Sequence, residues 1–173
     1  LGPTGILVPM VETPEQAEAI VEATRYPPDG KRGLGLGRAS GYGVTLKNHV
    51  DTVEDTLVRH VQLESERAIE NAAAIAEVDR IDGVFVGPVD LSMSMDCFEE
   101  WDDDAFLDAV DHAVEAAHDA GVGIGTLATS ADQRESRLDW GVDYLVAGVD
   151  AIHLAEGVAE ALDHCTALLD RET

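Results

Sequence analysis

Apolar positions along the chain fall into two alternating patterns. Short runs rich in β-branched residues or flanked by glycine, GILVPM (5–10), RGLGLG (32–37), LVRHVQL (57–63), DGVFVG (82–87), GVGIGTL (121–127) and DYLVAGV (143–149), each predict a strand. Between them lie stretches with helical spacing, at 14–24, near 46–54, and at 66–78, 104–119, 131–139 and 152–169. Strand and helix in alternation predict an α/β parallel sheet or barrel, because parallel strands need a crossover and a helix is its usual form. GVFVG and YLVAG are apolar on both faces, as expected for strands covered outside by helices and inside by a packed interior. Segment 104–119 sets Asp104, Asp108, Asp111, Glu115 and Asp119 beside Phe106, Leu107, Val110 and Val114, the pattern of an amphipathic outer helix.

Boundary residues sharpen this reading. Thr13 is placed to cap a helix, with Pro14 at the first position and Gln16 at the reciprocal capping position. Gly121 and Gly141 follow helices as stop residues. RYPPDGKRG, at 25–33, reads as a turn-rich connection, because its two prolines cannot continue the preceding helix. No linker, low-complexity tract or short repeat divides the chain, so residues 1–173 form a single domain.

Length then changes the picture. A complete eight-stranded α/β barrel takes about 250 residues, and this chain has 173. Its first residue is Leu1 and its first strand begins at Gly5, so the pattern enters in mid-fold. The expected architecture is therefore the C-terminal strand–helix units of a TIM-type (β/α)8 barrel.

Charge narrows the function classes. Thirty-five acidic against 11 basic residues give a formal net charge of -24, which repels nucleic-acid phosphates and anionic membrane surfaces. The acid is spread through helices instead of being gathered in a tail, as expected of a halophilic protein solvated in high salt. Cys97 and Cys165 suit neither a disulfide scaffold nor a zinc knuckle and are expected to be reduced, in keeping with a cytoplasmic protein. No apolar run approaches the roughly 20 residues of a membrane span.

Two carboxylates stand out against this background. Strand parity puts His60, Gln62 and Glu64 on one face, with Glu64 at the C-terminal strand end, where α/β barrels assemble their sites. Asp90 follows the next strand in the same way, and one helix separates the two. Neighbouring strands about 4.8 Å apart could bring both carboxylates to one ion. Two hard oxygen ligands suit Mg²⁺, Mn²⁺ or Co²⁺, with the remaining positions left to water and a chelating 2-oxo acid. So acidic a chain also ends strands in carboxylates by composition alone, and spacing does not separate the two readings.

The motifs VPMV.T (8–13), RYPP.G.RG (25–33), VQ.ES (61–65) and GP.DLS (87–92), in this order across nearly the whole chain, resemble those of the HpcH/HpaI aldolase family. The resemblance implies a divalent-metal-dependent aldolase (class II, a carbon–carbon lyase). It would cleave a 4-hydroxy-2-oxo acid to pyruvate and an aldehyde through a metal-stabilised enolate, and it would form a homo-oligomer. It further implies Glu64 and Asp90 as metal ligands and Gln62 as a catalytic and substrate-binding residue that hydrogen-bonds pyruvate or its enolate. Gly87 and Pro88 would meet the substrate carboxylate, Leu127 would flank the pyruvyl group, and Arg38 would take a catalytic place on the aldehyde side. Arg38 is equally suited to a salt bridge at a subunit interface.

The sequence also departs from the family pattern. Roughly three N-terminal β-α units, carrying an acid/base histidine and an arginine that binds the 2-oxo acid, have no counterpart in this chain. Val89 stands where the family commonly has alanine, and Asp96 where glycine is usual. Two alternatives accompany the aldolase expectation: a lyase of the citrate-lyase β-subunit or malyl-CoA type, and an inactive barrel remnant serving as an oligomeric subunit.

Other candidates read more plainly. His60 lies four residues, about 13 Å, before Glu64 and reads as an interior histidine. His112 and His118, six apart on an acidic helix, read as surface residues. GLGLGR lacks the third glycine and the helix start of a dinucleotide fingerprint. A Schiff-base aldolase needs a desolvated lysine, and Lys31 and Lys47 both sit in polar surroundings.

Overall fold

GVFV, buried at all four positions, forms the centre of a five-stranded sheet in the computed structural model, which describes residues 2–169. The strands are β1 (Gly5–Val8), β2 (Val58–Leu63), β3 (Gly83–Val86), β4 (Gly123–Leu127) and β5 (Tyr144–Val146). They lie in chain order with every neighbouring pair parallel. Such an order has no switch point, which separates a partial barrel from a doubly wound sheet.

Register assigns the faces. Val61, Leu63, Val84, Val86 and Ile124 alternate onto one face and are almost fully buried. They meet helices α1 (Pro14–Thr24), α3 (Glu66–Glu70), α4 (Ala72–Ala76) and α6 (Asp104–Ala120), which contribute Ala17, Ala68, Ala72, Ile75, Phe106 and Val110 to one core, whereas α2 (Leu46–Thr52) buries none of its residues. The other face carries Leu7, Val58, His60, Gln62, Phe85, Leu127 and Val146, of which Leu7, Val58 and Val146 are exposed. Helix α8 (Asp150–Leu169) buries none of its residues, although Ile152, Leu154, Val158 and Leu162 punctuate it.

The predicted boundaries hold at three places. Thr13 and Gln16 form the reciprocal capping box of α1, Gly121 ends α6 in the left-handed conformation, and Gly141 has positive φ after α7 (Ala131–Leu138). Both cysteines are free, Cys97 buried and Cys165 exposed. No helix among the described residues is long and apolar enough to cross a membrane.

Three expectations are corrected. RGLGLG is not a strand: the chain runs there without regular structure into a 3-10 segment at Arg38–Gly43, with Leu34 and Leu36 exposed. Glycine at every second position leaves nothing to pack on one face. The helix expected over 66–78 breaks in two at Asn71, whose side-chain amide donates to the carbonyls of Glu12 and Arg67 and so competes with the helical ladder. YLVAG is not covered on both faces, because β5 is an edge strand and Val146 is exposed. A seven-residue helix, α5 (Pro88–Ser94), follows β3 directly, in a stretch to which the apolar pattern assigns no element.

At the N-terminal end of the sheet, Arg59 is buried and held by Glu54, Thr24 and the Leu57 carbonyl, while Arg25 pairs with the same Glu54. This polar knot ties α1 to β2 at the end of the sheet opposite the candidate site.

Candidate functional site

Glu64 follows β2 directly and is 5% exposed. Its Oε1 accepts the Met10 backbone N–H at 2.7 Å and its Oε2 accepts the Gln62 side-chain amide at 3.1 Å. Both oxygens are thus oriented while each keeps a lone pair free. Met10 supplies its N–H from a left-handed conformation, φ 57°, just past the end of β1. A non-glycine residue in that region marks a backbone bent against its own preference.

Gly87, the N-cap of α5, lies beneath these side chains. A Cβ there would stand 2.6 Å from Glu64 Oε2, 3.0 Å from Glu64 Cβ and 3.4 Å from Gln62 Nε2. Only the missing side chain lets β2's last residues fold over the end of β3. Pro88, at the first position of α5, is buried, and Asp90, in the first turn, is exposed.

Burial pushes the Glu64 carboxyl above its ordinary range, the Met10 N–H pulls it back, and the nearby Asp90 charge adds to the rise. Among the described residues no group of three or more His, Cys, Asp or Glu side chains gathers to hold a metal. A donor set of two carboxylates, Glu64 and Asp90, would fit a hard divalent cation only where solvent or a chelating ligand completes the coordination.

Leu127, the last residue of β4, is half-buried beside Val146 and lends its carbonyl to Arg137. Glu64, Gln62 and Gly87 thus form one contact cluster at the C-terminal strand ends, with Pro88 and Asp90 on the adjoining turn of α5. Arg38, itself exposed, opens the 3-10 segment, and no hydrogen bond or ion pair among the described residues joins it to Gln62 or Glu64.

Deeper on the same face, His60 Nδ1 lies 2.5 Å from the Tyr144 hydroxyl. Burial lowers the His60 pKa and pushes that of Tyr144 up to about 12. The two rings are half-buried and pair with each other on the inner face. His112 and His118 are exposed, and His118 lies 3.3 Å from Asp143. Lys31 pairs with Glu22 and Lys47 with Asp51, all four being solvent-exposed.

Two residues of this neighbourhood were not legible in the sequence. Met10 acts through its backbone, so its side chain gives no signal. Arg137 is the one buried residue of α7, whereas its apolar neighbour Leu138 is exposed, the reverse of what hydropathy suggests.

Comparisons with known proteins accord with this geometry. The sequence profile described as HpcH/HpaI aldolase/citrate lyase matches residues 1–157. A 2-keto-3-deoxy-L-rhamnonate aldolase of Klebsiella pneumoniae subsp. pneumoniae is 40% identical over 154 residues, which is 88% of this chain and 57% of that protein. The enzyme of the same name from Escherichia coli is 36% identical over 164 residues, 94% of this chain and 61% of that one. A solved HpcH/HpaI aldolase/citrate lyase family protein from Burkholderia cenocepacia superposes with TM-score 0.86 at 28% identity, covering 95% of this chain and 66% of that one. The chain therefore spans about three-fifths of the length of these curated relatives.

Proposed function

The chain belongs to the HpcH/HpaI aldolase/citrate lyase family, and from that premise we propose that it carries the cation-binding part of a class II aldolase. The reaction is reversible cleavage of a 4-hydroxy-2-oxo acid to pyruvate and an aldehyde. The relatives' name describes such an acid, since a 2-keto-3-deoxy sugar acid has its carbonyl at C2, a methylene at C3 and a hydroxyl at C4.

Cleavage moves the C3–C4 electron pair toward the C2 carbonyl, giving an enolate, as the C4 hydroxyl passes its proton to a base or to water and becomes the aldehyde; protonation of the enolate at C3 then gives pyruvate. Glu64 and Asp90 would hold the divalent cation, Mg²⁺, Mn²⁺ or Co²⁺. When bound, the cation supplies Lewis-acid polarisation of the 2-oxo group and balances the negative charge that develops there. Glu64 reaches this role already oriented by Met10 and Gln62, so little ordering is left for the moment of binding. The Gln62 amide, half-buried on the inner face and bonded to Glu64, would donate its second hydrogen to the enolate oxygen. Gly87 and Pro88 would border the substrate carboxylate, Leu127 the pyruvyl methyl side, and Arg38 the aldehyde side. Amine catalysis has no support, since both lysines are exposed and ion-paired.

The single observation that carries this reading is a buried carboxylate held at both oxygens over a glycine that caps the helix carrying Asp90 in its first turn. Calorimetric titration with Mn²⁺ in molar KCl, with and without pyruvate, tests it. Binding should tighten with pyruvate and vanish in a Glu64→Ala, Asp90→Ala double variant. Equal titrations for the two proteins would reject the assignment.

A second reading rests on the open architecture. The sheet has two edges, β1 and β5, and its inner face exposes Leu7, Val58 and Val146, while α8 buries nothing. These features favour a homo-oligomer in which another copy covers apolar surface, and an inactive barrel unit serving as such a subunit is the competing reading. Light scattering against concentration gives the oligomeric state, and pyruvate-dependent Mn²⁺ binding separates the aldolase reading from the inactive one.

A further inference from the structure

Arg137 is 2% exposed, and no carboxylate among the described residues pairs with it. Its guanidinium carbon lies 4.9 Å from the ring centre of Trp101 and 5.4 Å from that of Trp140, and these are the chain's two tryptophans. Aromatic faces can replace part of a guanidinium's lost hydration, and a planar guanidinium stacks where an ammonium would not. Its hydrogen bond goes from Nη1 to the carbonyl of Leu127, at the end of β4. Burial lowers its pKa to about 10, still charged at neutral pH.

A buried cation costs stability unless its contacts repay it. Here the one buried residue of α7 is that cation, and its hydrogen-bond partner is a carbonyl at the strand end where the site is assembled. The next amides lie in the same turn: Ala128 donates to the Val146 carbonyl and Thr129 to Gln133 Oε1. We propose that Arg137 is a positioning residue that fixes the carbonyl of Leu127, and with it the wall the 2-oxo acid meets, from a slot between Trp101 and Trp140. The inference rests on the aldolase reading only in making Leu127 part of the substrate wall.

Amide hydrogen exchange in Arg137→Met tests the positioning directly. Exchange at Ala128 and Thr129 should quicken about tenfold or more, the equivalent of losing one hydrogen bond from a charged donor, while Val84–Val86 stays at the wild-type rate. Arg137→Lys should not restore protection, because an ammonium lacks the planar fork, and Leu138→Ala, at an exposed position of the same helix, should change nothing at Ala128. Wild-type rates at Ala128 and Thr129 in Arg137→Met, or equal acceleration across α7 and the whole sheet, would overturn the proposal. Pyruvate affinity in the presence of Mn²⁺ is the second readout: it should weaken about tenfold in Arg137→Met with Mn²⁺ affinity alone unchanged. A wild-type protein that binds Mn²⁺ but no pyruvate would count against the aldolase reading, and the exchange data would still decide the role of Arg137.

Discussion

Gly87→Ala is the most direct perturbation of the carboxylate cluster, because it adds one methyl and changes no charge. Gly87 has φ -89° and ψ 90°, a conformation alanine can adopt, so the effect is steric and not one of backbone strain. The new Cβ would sit 2.6 Å from Glu64 Oε2 and must retreat to the 3.4 Å at which ordinary contact begins. The carboxylate therefore shifts by about 0.8 Å, several times the ~0.2 Å tolerance of metal–ligand distances. It cannot swing freely, since Oε1 is tied to the Met10 N–H and Glu64 Cβ itself would stand only 3.0 Å from the new methyl. Mn²⁺ affinity should fall about 10- to 100-fold, or about 1.4–2.8 kcal/mol, with a stability loss of about 1–3 kcal/mol from overpacking. Calorimetric titration and thermal melting read the two effects, with Gly33→Ala, where a Cβ meets open space, as the control expected to be neutral. Wild-type affinity together with a wild-type melting temperature in Gly87→Ala would refute the claim that Glu64 is held against this glycine.

Glu64→Gln should abolish Mn²⁺ binding yet raise the melting temperature of the metal-free protein at neutral pH. A carboxyl whose folded pKa is raised contributes stability that is full below its ordinary pKa and is lost as pH rises through the folded value, so the gain should vanish below about pH 4.5; a gain that persists in acid would contradict the burial argument. Met10→Gly should stabilise by up to about 1 kcal/mol, because relief of φ 57° exceeds the cost of glycine's greater freedom when unfolded and the exposed side chain buries little, and a lower melting temperature would mean the strain is absent. Borohydride reduction in the presence of pyruvate should leave the intact mass unchanged, whereas a reduced adduct would reinstate amine catalysis at Lys31 or Lys47. With a net charge of -24, the melting temperature should climb from about 10 mM to about 1 M KCl as the screening length contracts from about 30 to about 3 Å, and a flat salt response would remove the case for a high-salt protein.

Much of this protein was legible along the chain because its signals are local. Period-two and period-3.6 patterning located all five strands and the outer helices, and Thr13, Gly121 and Gly141 marked boundaries through chemistry that acts within one turn. Strand parity brought Gln62 and Glu64 to one face, and a single helical crossover, though broken at Asn71, was enough to make β2 and β3 neighbours. Where local chemistry misled, packing was the reason: RGLGLG has strand-like alternation but no partner to pair with, and 66–78 has helical spacing but an Asn71 amide that finds a better acceptor in Glu12.

What only the tertiary structure decided are the contacts that join distant segments. Met10 reaches Glu64 across 54 positions, and the need for glycine at position 87 arises because the side chains of Gln62 and Glu64 lie over it. Arg137 is buried because two tryptophans and a strand-end carbonyl converge on it, none of which hydropathy registers. Residue types and their spacing are written in one dimension, but the burial that raises a carboxyl pKa or shelters a guanidinium depends on which segments pack together, and that is settled only when the sheet forms.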